Sequence, residues 1–332
     1  DAFTFLQDLA KSASPPRVED LERFAEAALR TEHVDMAMSI CQNLIKREPH
    51  NRKALILLGE VYMQKGDVLK AIQHMEAVVE MIPGEPDGWL TLAWLWHEND
   101  QTDRSLETLM KGVETSPGQP KLLRALGKAH LIAGAYHEAL EPLIKAHKVE
   151  PDHPQGKLDL AQTYFQLGQP QKAYDLLETF IDNYQEYPDA ARLLGHVLIS
   201  LDKKESAEPL MLFAAAQFPE DLNTLLTTSR LVLDRVESAS EIDPNERLDQ
   251  IENILLKADA EDPQHSQIKL HLADLARLRG NHQKAFDAYT QLSKGGENEK
   301  QMADWRLNYG LGQAAMGLGN QDVGLAALQA AL

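Results

Sequence analysis

Between Pro49 and Pro83 the chain reads Ala54-Leu55-Ile56-Leu57-Leu58-Gly59-Glu60-Val61-Tyr62, then Lys65-Gly66-Asp67, then Ala71 and Met75. Pro83, Pro117 and Pro151 follow Pro49 at intervals of 34 residues. A fixed period of this length marks stacked copies of one small helical unit rather than a globular core. Leu55, Leu58 and Tyr62 are spaced by three and four, so they share one helical face. Gly66 breaks that helix, and Asp67 is placed to cap the next one. Ala71, Met75 and Val78 point inward from this second helix, and Pro83 stops it.

The period extends over most of the chain. From Val18 nine repeats align, at 18–51, 52–85, 86–119, 120–153, 154–187, 188–221, 222–265, 266–304 and 305–332, each reading as helix, turn, helix. Their eighth residues are Ala25, Gly59, Ala93, Gly127, Ala161, Gly195, Ser229, Ala273 and Gly312. Their twentieth residues, counted past the insertion in the seventh repeat, are Ala37, Ala71, Ser105, Ala139, Ala173, Ala207, Ile251, Ala285 and Gly324. Glycine within a helix costs about 1 kcal/mol relative to alanine, so its recurrence needs a cause. Close approach of two helices supplies one, because a larger side chain would hold them apart.

Residues 1–17 precede the array. Phe3, Phe5, Leu6, Leu9 and Ala10 can form one apolar stripe, read as a capping helix or strap. Three departures interrupt the pattern. Gln185 replaces a closing proline; ten extra residues in the seventh repeat fall around Glu237 to Ile242; and Lys294 to Glu299 lengthens the next junction. Asp243-Pro244-Asn245-Glu246 reads as a helix start. Pro142 and Pro209 lie early in second helices, near the turn whose amides are unpaired in any case.

These residues resemble the tetratricopeptide repeat family. One repeat carries Trp89, Leu92, Ala93, Trp96, Ser105, Leu109, Gly112 and Pro117; another carries Leu55, Leu58, Gly59, Tyr62, Ala71, Met75, Val78 and Pro83 in the same places. The resemblance covers residues 18–332. It implies an all-α, right-handed α-solenoid of stacked antiparallel helix pairs, with a concave face lined by first helices that takes peptides or protein segments. It also assigns groove positions to the second, fifth, sixth, ninth, twelfth and thirteenth places of each first helix. By that rule Lys121, Arg124 and Lys128 face the groove, flanked by Trp94 and His97, by Phe165, and further along by Arg192, His196 and Arg230.

That strip suits an acidic, partly apolar peptide; the alternative is that the cations pair with Glu98, Asp159 and Asp189 on adjacent helices. The co-chaperones of this family that grip heat-shock protein termini use a Lys/Asn clamp at the fifth and ninth places. Here those places hold Ile56 and Glu60, Leu90 and Trp94, Arg124 and Lys128, without asparagine, so that activity is disfavoured.

Composition sets outer bounds. A formal charge of −18 makes nucleic acid or an anionic membrane a poor partner, and no apolar run reaches the length of a membrane span. Cys41, the only cysteine, takes a core position and excludes an intrachain disulfide. It leaves the compartment open, with cytoplasm favoured over periplasm. The start at Asp1 and the end within a repeat leave open whether flanking domains belong before or after this segment. No His-Glu-x-x-His and no phosphate loop occurs; His130 reads as packing, and His137, His147 and His153 read as solvated. No metal, cofactor or catalytic constellation is expected. The leading function is a non-enzymatic adaptor; the alternatives are a recruiting arm of a larger enzyme and a self-associating scaffold.

Overall fold

The computed structural model describes residues 16–238, 245–294 and 304–332. Those residues form eighteen α-helices and one 3₁₀ segment, with no strand among them. The chain divides into two compact units, Asp1–Gly168 and Gln169–Leu332.

In the N-terminal unit, antiparallel pairs are formed by α1 (Val18–Arg30) with α2 (Val34–Arg47), and α3 (Arg52–Gln64) with α4 (Val68–Met81). They continue with α5 (Pro86–Glu98) and α6 (Thr102–Thr115), then α7 (Pro120–Ile132) and α8 (Tyr136–Val149), and end on α9 (Pro154–Gln166). Pro86, Pro120 and Pro154 each occupy the first helical position, where a missing N–H is harmless and φ is already set.

Small residues let the paired helices approach. A Cβ added to Gly59 would lie 2.6 Å from Met75 Sδ, and one added to Gly127 would lie 2.4 Å from Leu143 Cγ. Ser105 stands where other repeats have alanine, and its hydroxyl is satisfied by donating to the Ala93 carbonyl at 2.7 Å. Trp89 and Trp96 pack in the core, as their spacing predicts, and Trp89 Nε1 donates to the Pro83 carbonyl at 2.8 Å.

The turn inside each hairpin uses one backbone conformation. Gly66 and Gly134 have φ of +78° and +74°, while Glu32 and Asp100 occupy the same place at +60° and +57°. Asp67 stands at the N-cap of α4, but its carboxylate takes Lys70 Nζ at 2.8 Å instead of a backbone amide. His153, expected to be solvated, caps α9 by accepting the Gly156 amide at 3.1 Å. Pro142 is the seventh residue of α8, past the first turn, so one helical hydrogen bond is missing there. Burial of Ala139, Leu143 and Ala146 holds the helix together around it.

The C-terminal unit contains α10 (Pro170–Leu177), the 3₁₀ segment Glu178–Glu186, α11 (Pro188–Ser200), α12 (Lys204–Gln217) and α13 (Leu222–Ser238). It continues with α14 (Asn245–Glu261), α15 (Ser266–Leu278), α16 (His282–Ser293), α17 (Asp304–Gly317) and α18 (Gln321–Ala331). Gln185, where the closing proline is absent, falls in the 3₁₀ segment, whose Asn183 is non-helical. Pro209 is likewise interior to α12. The extra length of the seventh repeat lies partly in its helices, since α13 and α14 each run 17 residues. Glu237 and Ser238 are therefore helical rather than loop. Residues 1–15 of the strap expected at 1–17, the rest of the insertion with Asp243 and Pro244, and the junction from Gly295 to Glu299 lie outside the described residues.

Candidate functional site

The first helices α1, α3 and α5 bound a cleft of about 600 Å³ in the N-terminal unit. Ile56, Leu57 and Leu90 give it apolar walls, and its rim is charged. Lys53 Nζ lies 2.8 Å from Glu26, Arg52 lies 3.4 Å from Glu85, and Lys121 Nζ lies 3.0 Å from Asp87. Glu60 also lines the cleft and has no ion pair among the described residues. Burial, with the Glu26 charge adding, holds its carboxyl above the ordinary range.

Beyond this cleft the residues read as a basic strip meet different fates. Lys121 pairs with Asp87, and Arg124 pairs with Glu150, which follows α8. Neither acid is among those considered from the sequence. Lys128 is exposed, makes no ion pair among the described residues, and acts on the buried Asp159 only through its field. Trp94 is 45% exposed, His97 is exposed and Phe165 is half-buried. Trp94 and Lys128 hold the ninth places of successive repeats, and both are exposed.

The remaining residues of the strip belong to the C-terminal unit. Arg192 is held by Asp189 and Asp221, each at 2.8 Å, and lies over the Phe218 ring. Arg230 pairs with Asp234 at 3.6 Å. His196 is half-buried, and burial, with Arg192 adding, lowers its pKa.

This unit also holds a buried ionic network that the sequence reading missed. Asp274 accepts Arg306 Nε at 2.9 Å and Tyr289 Oη at 2.5 Å. Arg277 bonds Gln313 at 2.7 Å and Glu237 at 3.0 Å, while Arg306 also reaches Asp234 at 3.2 Å. Burial pushes the Asp274 carboxyl up and the Arg306 guanidinium pulls it back. Beside it, Ser229 Oγ and His271 Nδ1 are 2.6 Å apart. Such a pair has the shape of a nucleophile and its base, but both side chains are sealed in the core. Asp274 and Arg306 stand at the ninth and second places of successive repeats, as do Glu26 and Lys53. Opposite charges at those places were the available signal.

A further cleft of about 480 Å³ lies between α12 and α14, with Leu212, Phe213 and Ile254 on its walls and Lys257 at its edge. It belongs to second helices. Among the described residues no helix is long and apolar enough to cross a membrane.

Two tetratricopeptide repeat family models match, at residues 22–86 and 130–197. The TPR repeat-containing protein YpiA of Bacillus subtilis (strain 168) is 24% identical over 130 residues, covering 39% of this chain and 31% of that protein. The BBSome complex member BBS4 homolog of Drosophila melanogaster is 22% identical over 192 residues, covering 58% and 40%. The chain thus spans less than half the length of either curated relative. The solved structure of Pseudomonas aeruginosa pilF matches at a TM-score of 0.56 and 19% identity, covering 67% of this chain and 97% of that one. The matched segments fall on helical hairpins of the kind described above, and the chain carries tetratricopeptide repeats at residues 22–86 and 130–197.

Proposed function

We propose that this protein is an adaptor that holds an extended segment of a partner protein against the first helices of its N-terminal unit. Tetratricopeptide repeats generally mediate protein–protein interaction and are typically non-catalytic scaffolds, which supports this reading. The observation that carries the finer reading is the cleft bounded by α1, α3 and α5, with the exposed Trp94 one helical turn beyond its wall residue Leu90. Apolar walls with a charged rim suit an extended peptide, whose affinity comes from a few buried anchors and whose register comes from charge. Lys128 is the cation left to meet an acidic residue of that segment, because Lys121 and Arg124 already have carboxylates.

The test is photocrosslinking from p-benzoylphenylalanine placed at position 94, compared with position 110, where Met110 is equally exposed on the second helix α6. Discrete adducts from position 94, mapping to one contiguous partner segment and absent from position 110, support the groove. Equal labelling from both positions counts against it.

A further inference from the structure

Two junctions of the array carry an ion pair between the same two places, and a third carries two acids instead. The ninth residue of one repeat faces the second residue of the next, and in Glu26–Lys53 and Asp274–Arg306 the two are opposite in sign. At the middle of the cleft these places are held by Glu60 and Asp87, two acids. Each other carboxylate of the cleft has its own cation: Glu26 has Lys53, Glu85 has Arg52 and Asp87 has Lys121. Glu60 has none among the described residues. The like charge that acts on Glu60 is Glu26, which adds to burial in raising its pKa.

We propose that this gap is filled by the partner: the bound segment inserts a lysine or arginine side chain beside Glu60, its aliphatic stem lying on Ile56 and Leu90. This rests on the groove reading above and names the chemistry of one of its anchors. Charge complementarity selects the occupant, since four carboxylates of the cleft face only Arg52 and Lys53 within it. The apolar walls select a long side chain over a bare ion, because lysine and arginine bury their methylenes while keeping the charged head on an acid. Among the described residues no cluster of three or more metal-ligating side chains is present, so a divalent cation has no cage here. Burial already raises the Glu60 pKa, so its charge is held at a cost in the free protein that an incoming cation would relieve. With Lys128 at the other end, the segment is bipolar, basic toward α3 and acidic toward α7.

The experiment uses fluorescence anisotropy with two labelled peptides sharing a Leu-Arg-Leu core, one with arginine and one with citrulline, which keeps the shape and loses the charge. The full chain is compared with Glu60→Gln and Lys128→Ala. The arginine peptide should bind the wild type about tenfold or more tighter than the citrulline peptide, as a charge-assisted hydrogen bond requires. Glu60→Gln should abolish that preference and Lys128→Ala should leave it. Glu60→Gln should also raise the melting temperature of the free protein, so the loss cannot be ascribed to unfolding. Equal binding of the two peptides, a preference that survives Glu60→Gln, or no binding by either peptide overturns the cation site. The crosslinks from position 94 do not depend on Glu60, so the groove reading stands or falls separately.

Discussion

Gly127 lies directly against Leu143: an added Cβ would sit 2.4 Å from its Cγ and 2.7 Å from its Cδ2. Gly59 with Met75 and Gly195 with Met211 repeat the relationship sixteen residues apart. The contact closes each hairpin, so Gly127→Leu should destabilise by about 1–3 kcal/mol or more through overpacking. Lys128→Ala, one residue on, should stay within about 0.5 kcal/mol. Urea midpoints of the two variants decide it, and equal losses would remove the helix-contact assignment.

Turn conformation supplies a second test, independent of packing. Gly134 has φ of +74° and open space around its Cα, so Gly134→Ala should cost about 1 kcal/mol from backbone strain alone. Glu32 occupies the same turn position at +60°, and Glu32→Gly should raise stability by a similar amount. Thermal melts of both variants should therefore shift in opposite directions.

Cys41 is fully buried, and burial, with the Glu60 charge adding, pushes its thiol up to about 12. A thiol this far from ionisation is a poor nucleophile. Ellman's reagent should react only as fast as the chain opens, and oxidation should give no linked dimer. Stoichiometric labelling of the native protein within the mixing time would place Cys41 wrongly.

Acid should weaken the C-terminal unit through His271. Burial, with Arg306, Arg230 and His265 adding, lowers its pKa to about 3. The unfolded chain takes up a proton that the fold excludes, so this stabilisation is full above the ordinary histidine pKa and is lost as pH falls from about 6.5 toward 3. The slope approaches about 1.4 kcal/mol per pH unit. Urea titrations between pH 6.5 and 5 should show a shallower decline for His271→Gln than for the wild type.

The helix pairs were legible in the sequence because small residues at fixed places report a backbone distance. Ala25, Ala37, Ala71 and Ala139 could be read as buried from spacing alone, and all are fully inaccessible. Ile251 shows the limit: it takes the place of an alanine in a hairpin whose two helices are each 17 residues long. Charge pairing was less legible. The acid for Arg124 is Glu150, outside any first helix, and the acid for Lys121 is Asp87, one repeat earlier. Reading α7 alone, both cations look unpaired. Searching for an excess of one sign also passed over Asp274, Arg277 and Arg306, because that network is nearly balanced.

The central claim is that a partner segment lies on the first helices of the N-terminal unit. Once the crosslinked segment is identified, its Kd should be measured at two ionic strengths for the wild type, Trp94→Ala, Lys128→Ala, the triple variant Lys121→Ala, Arg124→Ala, Lys128→Ala, and the outward control Lys145→Glu, Lys148→Glu. Trp94→Ala should weaken binding with an unchanged salt dependence, because its contribution is apolar burial. Lys128→Ala should weaken it and flatten that dependence, and the triple variant should add little, since Lys121 and Arg124 are already paired. The outward control should bind as the wild type does. Wild-type affinity in Trp94→Ala and in the triple variant, with loss only in the outward control, would contradict the account.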